Sequence, residues 1–352
     1  MIHIVYPYRN RDLKRIRFSL NSLAAQNNTN FRVHFVDYGS TPERAKEVKI
    51  VVESYDFVTY RYVYCPYTMW NKSHALNIVL KELADGHFFV ADVDGIFHPE
   101  LVQTLHNVAA ADRVTYFQVG FLTEEASREE RPFETYPIKF LSTYEATGLS
   151  LFPVKALKEI KGFNEYYHLW GSEDTDVHVR CKHHGLDVQF FDETLLILHQ
   201  WHTIYRALDD KRLTDDITIR NISRLNMYYL KDLKESNQIL ANEGFHWGND
   251  ITKSVQQCFE KQPDRVINVS LNKTKRNAQL ASIATHTNQM VRLQWHRKKL
   301  IVSRLKSLAI GMQWEKHVSD SILKFHIEVL RDKPYQYKVD PVQRTFTYTV
   351  QL

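Results

Sequence analysis

The chain has 352 residues, 43% of them hydrophobic and 25% charged, an ordinary soluble composition with room for about two domains and a sizeable core. Its net charge of +5, from 46 basic and 41 acidic residues, is too slight to point to an anionic partner. Three widely spaced cysteines, Cys65, Cys181 and Cys258, argue against a disulfide framework or a cysteine zinc site and fit a reduced compartment.

At the amino terminus, "MIHIVYPYRNRDLKRI" lacks a charged leader followed by a long apolar run, so a cytoplasmic location is expected. "IHIVYP" reads as a buried strand. "DLKRIRFSLNSLAAQ" follows as a helix, with Leu13, Ile16, Leu20 and Leu23 at three- and four-residue spacing. "FRVHFVDYGS" repeats the strand-then-loop pattern, "TPERAKEVKIVVESY" reads as a helix and "VTYRYVYCP" as a further strand. Strands alternating with helices predict a mainly parallel α/β sheet, whose ligands bind at the carboxyl ends of the strands.

The polar clusters fall at those ends. "YRNR" with Arg9 and Arg11 follows the first strand, and "DYGS" with Asp37 ends the second. "ADVDG" follows the apolar run "HFFV". "WNKSHALNIVLKEL" reads as a helix whose first turn carries Asn71, Lys72 and His74, an amino terminus suited to an anion. If "DVD" continues its strand, Asp92 and Asp94 share one face and Val93 the other, forming a hard oxygen site for Mg²⁺ or Mn²⁺. Asp and Gly are equally at home in turns, so both "DVDG" and "DYGS" also read as turn chemistry.

"GFNEYYHLWGSEDTDVHVR" places Tyr166, Tyr167 and Trp170 just ahead of Glu173, Asp174 and Asp176. Ser172 as a cap followed by acids in the first turn is what a helix start prefers. Aromatics beside carboxylates also suit a sugar: the rings stack on it, the carboxylates hold its hydroxyls, and one of them can take a proton. Further on, "TLLILHQWH" predicts a strand ending at His199 and His202, where a neutral imidazole could ligate a metal beside Asp94.

Taken in order, "YPYRNR", "VDYGS", "WNKSHALN", "FFVADVDG", "ATGLSLFPVKALKEIKGFNEYYHLWGSEDTDVHVR" and "LHQWH" resemble metal-dependent inverting glycosyltransferases of the GT-A fold. The likeness is to galactosyltransferase-type and chondroitin-polymerase-like members, related to glycosyltransferase families 2 and 7, over about residues 2 to 205. The resemblance implies that Pro7, Arg9, Arg11, Lys72, Asp92 and Val93 bind the nucleotide sugar, with Asp37 near its base or ribose. It makes Asp94 the main metal ligand, with Asp92 directed toward the ribose or the metal and His199 the better match to the family's metal-binding histidine; His202 is the rival. Trp170 and Glu173 would hold the acceptor and Asp174 would be the general base. The implied cofactor is Mn²⁺ or Mg²⁺, and the implied donor is a UDP-sugar carrying a hexose or N-acetylhexosamine. The implied acceptor is an oligosaccharide or glycolipid of surface-polysaccharide synthesis, met at the inner face of the membrane through peripheral contact. Where relatives have W-G-G-E-D, this chain has Ser172, which narrows the space near the donor sugar.

Two alternatives remain at this stage. An inactive glycan-binding module of the same fold would need neither Asp94 nor Asp174, and a nucleotidyltransferase would not explain the aromatic Glu-Asp loop. No nucleic-acid partner is expected, since the best candidate basic cluster, "HRKK" (296–299), is short. Beyond the resemblance, "LTDDITIRNISRLNMYYLKDLKESNQIL" predicts one long helix and "NDITKSVQQCFEKQ" another. "DRVINVSLN", "VRLQWHRKKLIVSRL", "LKFHIEVL" and "RTFTYTVQL" read as strands. The expected organisation is a GT-A domain over 1–212, a helical extension over 213–261 and a small α+β accessory domain over 262–352.

Overall fold

The structure is a computed structural model that describes residues 1–203, 213, 216–295 and 314–352. The chain forms two compact units, the first comprising 1–63, 71–204 and 223–250, the second 64–70, 205–222 and 251–352.

The first unit opens with β1 (Ile2–Tyr8), α1 (Leu13–Ala24), β2 (Phe31–Tyr38), α2 (Pro42–Val52), β3 (Val58–Val63), α3 (Lys72–Glu82) and β4 (His87–Val90). The helix starts use the expected chemistry. The side chains of Asp12, Thr41 and Asn71 accept from the backbone N–H groups of Lys14, Arg44 and His74, and Pro42 occupies the first helical position. Continuing, β5 (Gly95–Phe97), α4 (Leu101–Val108), β6 (Arg113–Phe117), β7 (Val119–Leu122), β8 (Ile138–Leu141), β9 (Ser150–Pro153) and α5 (Val154–Glu159) lead to α6 (Glu173–His183), β10 (Asp187–Phe191), β11 (Ile197–His199) and α7 (Ile222–Glu235).

Seven strands form the main sheet in the order β10-β6-β9-β4-β1-β2-β3. All its pairs are parallel except the two made by β9. The near-continuous apolar strands, such as Ile4, Tyr6 and Phe35 and Phe89, are buried on both faces as a covered parallel sheet requires. A second sheet, β5-β11-β7-β8, places His199 beside Gly95 and Phe121.

Three predicted elements differ in the structure. Asp92 and Asp94 lie in a turn between β4 and β5, where Gly95 N–H donates to Asp92 O at 2.9 Å, so the two carboxylates do not share a strand face. The long helix predicted from 213 covers only Ile222–Glu235: residues 217–219 lie outside any helix and Asn221 takes a left-handed φ of 57° directly ahead of it. "LKFHIEVL" is helical, completing Trp314–Phe325 and a wider turn over His326–Leu330. Its Ile322, Leu323, Ile327 and Leu330 are buried at helical spacing, a pattern that a short apolar run does not distinguish from a strand.

In the second unit, strands Arg265–Asn268, Met290–Trp295, Thr345–Gln351 and Tyr335–Asp340 form one sheet in that order, with Val291, Leu293, Tyr348 and Val350 in its core. This is the α+β appendage expected of the carboxyl-terminal region. The basic cluster "HRKK" lies outside the described residues. Among the described residues, no helix is long and apolar enough to cross a membrane.

Candidate active site

The carboxyl ends of β1, β2 and β4 bring three predicted clusters together. Asp37, fully buried, accepts from Ser40 N–H at 3.1 Å and from the Tyr60 hydroxyl at 2.9 Å. Burial raises its carboxyl above the ordinary range, against the hydrogen bonds of Ser40 and Tyr60 and the charge of Arg9. Arg9 lies 5.3 Å from the centre of the Tyr38 ring and donates from Nε to Tyr38 O. Pro7 is buried in β1, and Arg11 is exposed, its carbonyl accepting from the Tyr8 hydroxyl at 2.8 Å. Val93 packs its side chain into the main core, 6% exposed.

Asp94 is the buried acid of "DVD". His199 Nε2 lies 3.4 Å from its Oδ1 and His202 Nε2 3.3 Å from its Oδ2, with one ligand atom from each residue gathered within 4.8 Å. Burial raises this carboxyl, but His199, His202, Arg11 and Arg15 outweigh it and hold Asp94 below the ordinary value. The Nδ1 of His202 lies 3.0 Å from the carbonyl of Thr203; an N–H there leaves the Nε2 lone pair toward Asp94. A carboxylate with two imidazoles fits a divalent first-row transition metal better than Mg²⁺, which prefers oxygen ligands. The structure thus brings both rival histidines to one place.

Asp92 turns the other way. Lys72, on the first turn of α3, places Nζ 3.6 Å from Asp92 Oδ1 and 3.2 Å from Asp174 Oδ1. Burial works to lower the Lys72 ammonium, but Asp174, Asp92 and Glu173 dominate and hold it well above its usual range. The Asp174 carboxyl is pushed up to about 7: burial raises it most, Lys72 opposes, and Glu173 and Asp92 add to the rise. Gly148 keeps the flank of Asp174 open, since a Cβ there would come within 3.4 Å of Oδ2.

The loop ahead of α6 departs from the sequence expectation in two ways. Ser172 occupies the cap position with a left-handed φ of 74° and makes no side-chain capping bond, while Leu169 and Gly171 are left-handed as well. This places backbone strain directly ahead of the Glu-Asp pair. Tyr166 and Tyr167 are not open to a sugar; both are buried. Tyr166 stacks on Tyr229 at 3.7 Å, and Tyr167 donates its hydroxyl to Asp176 at 3.1 Å. Trp170 stays half-buried at the loop tip, held through its carbonyl by Asn226 Nδ2 at 3.0 Å. Asp176, fully buried, pairs with Arg180 at 2.7 Å, and Arg180 also donates to Ile160 O at 3.2 Å. The acid read as a helix-start residue therefore ties the helix to the loop.

Sequence reasoning missed the residues that hold this loop from the far end of the unit. Asn226 and Tyr229 sit on α7. Asn242 donates to Lys161 O and Phe163 O, both at 2.9 Å, and accepts from Glu165 N–H at 3.0 Å. The only available signal was the run of Asn and Gly residues near 242–248. Asn242→Ala is expected to lower stability by about 3 kcal/mol, read from the urea midpoint, because it takes the side-chain partner from Lys161 O and Glu165 N–H, while Phe163 O keeps Asn77 Nδ2 at 2.8 Å, and puts Ala at a φ of 54°.

The family described as "Glycosyl transferase family 2" matches residues 3–159, and "N-terminal domain of galactosyltransferase" matches 131–205. No curated protein matches the chain. Among solved structures, S. aureus TarS 1-349 shares 16% identity over 56% of this chain and 60% of its own, at a TM-score of 0.43. The same fragment in complex with UDP-GlcNAc shares 16% over 57% and 59%, at 0.44. A further TarS structure shares 15% over 57% of this chain and 36% of its own, at 0.44. This chain thus spans less than two thirds of each of them. With a parallel-rich α/β sheet and two consecutive family matches, the chain is similar over its first two hundred residues to glycosyltransferases of family 2 and to the galactosyltransferase domain.

Proposed function

We propose that the enzyme is a metal-dependent inverting glycosyltransferase that moves a hexose or N-acetylhexosamine from a UDP-sugar to a hydroxyl of an oligosaccharide or glycolipid. The observation that carries this reading is the placement of Asp174: a carboxyl pushed up to about 7, linked through Lys72 to Asp92, two residues from the Asp94, His199 and His202 cluster.

In this reading Arg9 and Asp37 hold the nucleotide at the ends of β1 and β2. Asp94, His199 and His202 would hold Mn²⁺, and the chemistry it would supply when bound is Lewis-acid stabilisation of diphosphate charge. Lys72 adds a fixed positive charge on the same side. Glu173 and Trp170 orient the acceptor, and Asp174 accepts the proton of its hydroxyl as oxygen attacks the anomeric carbon opposite the leaving group. One displacement of this kind inverts the configuration. The setting we propose is surface-polysaccharide synthesis on the cytosolic side of the membrane, supported by the resemblance to polymerase-type members.

The test is transfer from a panel of UDP-sugars, with product configuration read by NMR. EDTA is expected to abolish turnover, and Mn²⁺ to restore it at lower concentration than Mg²⁺. His202→Ala should raise the Mn²⁺ concentration for half-maximal rate at least tenfold, on the scale of perturbed metal sites. Full turnover in EDTA, or a product that retains configuration, would overturn the proposal.

A further inference from the structure

The second sheet carries a feature that the catalytic arrangement does not use. Its register sets Gly95, His199, Phe121 and Phe140 in one row across β5, β11, β7 and β8. Residues paired across neighbouring strands point to the same face, so the row begins at a residue of the Asp94 cluster and runs to the edge of the sheet. The other face is closed: Ile96, Leu198 and Leu122 pack there with Ala126 and Tyr136. On the row's face, the rings of His199 and Phe121 are 5.0 Å apart, and Phe121 and Phe140 stack at 4.6 Å with planes 11° apart. Among the described residues no strand of the sheet follows β8, and Phe140 is 52% exposed. Edge strands are normally blunted by charge, as Lys139 does here, yet this one also presents a large apolar ring beside the site. Beyond the strand the chain passes Ser142, whose hydroxyl accepts from Val119 N–H at 2.9 Å, and turns toward Gly148, near Asp174.

We propose that Phe121 and Phe140 form an aromatic ledge that stacks a pyranose ring of the acceptor chain beyond the sugar that reacts. The inference rests on the glycosyl-transfer reading above and adds a subsite to it. A flat ring with an open face, continuous with the site, matches the apolar face of a pyranose. Around the ledge the exposed acids Glu124, Glu125, Glu129, Glu130, Glu134 and Glu145 outnumber the exposed Arg128, Arg131 and Lys139, so the local charge opposes an anionic bilayer as the occupant. The ledge therefore favours acceptors of several sugars over single sugars with the same terminus.

The experiment measures binding to the full chain by saturation-transfer NMR and calorimetry, so its outcome does not depend on turnover. The probes are mono- and tetrasaccharides of glucose, galactose, N-acetylglucosamine and N-acetylgalactosamine, together with n-octyl glycosides of the monosaccharides. The expected result is a tetrasaccharide preferred over its monosaccharide. Phe140→Ala should reduce that preference about tenfold and Phe140→Trp should retain it, on the scale of one aromatic contact. Val342→Ala, an exposed apolar residue in the second unit, serves as control. Phe140→Leu separates ring stacking from general apolarity and is expected to lose the preference. An unchanged preference in Phe140→Ala, or a preference for octyl glycosides kept by Phe140→Leu, would overturn the ledge as a carbohydrate subsite. Failure of every UDP-sugar to turn over in the wild type would instead sink the transfer reading.

Discussion

Asp174→Asn is expected to lower kcat by about 10²- to 10⁴-fold, the range spanned by general-base catalysis, while changing the KM for the acceptor little. The amide keeps the shape of the side chain but cannot take a proton, and Lys72 retains Asp92 as a partner at 3.6 Å. The wild-type pH profile provides an independent readout. Only the ionised carboxylate can accept the hydroxyl proton, so with a carboxyl pushed up to about 7 the rate should rise through neutral pH and fall tenfold per unit below it. That limb should vanish in the residual activity of the variant. Linkage gives stability the opposite sign: the folded-state value lies above the ordinary 3.8, so the group's stabilising contribution is present below about 4 and is lost as pH rises through about 7. Catalytic readiness and stability thus pull apart at this residue. A profile flat from pH 5 to 9, or a variant with wild-type rate, would remove Asp174 from the role of base.

Much of this site was readable because its signals are local. Strand-then-loop alternation put Arg9, Asp37 and Asp92 at strand ends, and the main sheet is parallel there because each crossover contains a helix of ordinary period. Asp12, Thr41 and Asn71 are short polar side chains ahead of apolar periodicity, the pattern that caps produce. What escaped was long-range. Asn226 meets Trp170 across 56 positions and Asn242 meets Lys161 across 81, and neither belongs to a pattern that marks its partner. The aromatic pair Tyr166 and Tyr167 looked like a sugar platform because composition cannot say which ring is covered; Tyr229, on a helix beyond the family resemblance, covers both. Of the two readings of "DVD", the turn is the one the structure shows; the same residues serve strand and turn, so the sequence left both open.

Asp176, in the first turn of α6, carries the second large expectation. An exposed acid with Arg four positions on would be worth a few tenths of a kcal/mol. Here Asp176 and Arg180 are both fully buried at 2.7 Å, and Tyr167 spends its hydroxyl on the same carboxylate. Asp176→Ala therefore leaves a guanidinium in the interior without its counter-charge and a buried phenol without its acceptor. The expected cost is about 3–5 kcal/mol, a fall in melting temperature of roughly 6–20 °C for a unit of this size. Arg180→Met alone strands the carboxylate and should cost a similar amount. The double variant Asp176→Leu with Arg180→Met, which removes both charges, should recover most of the loss, because the penalty belongs to the unpaired charge rather than to the missing pair. Additive losses in the double variant would instead show that packing, not charge, sets the stability of this helix. Since the same carboxylate anchors Tyr167, the single variant should also loosen the loop that presents Trp170. The recovered double variant separates the two effects: its stability returns, while acceptor KM stays raised because Tyr167 still lacks its partner.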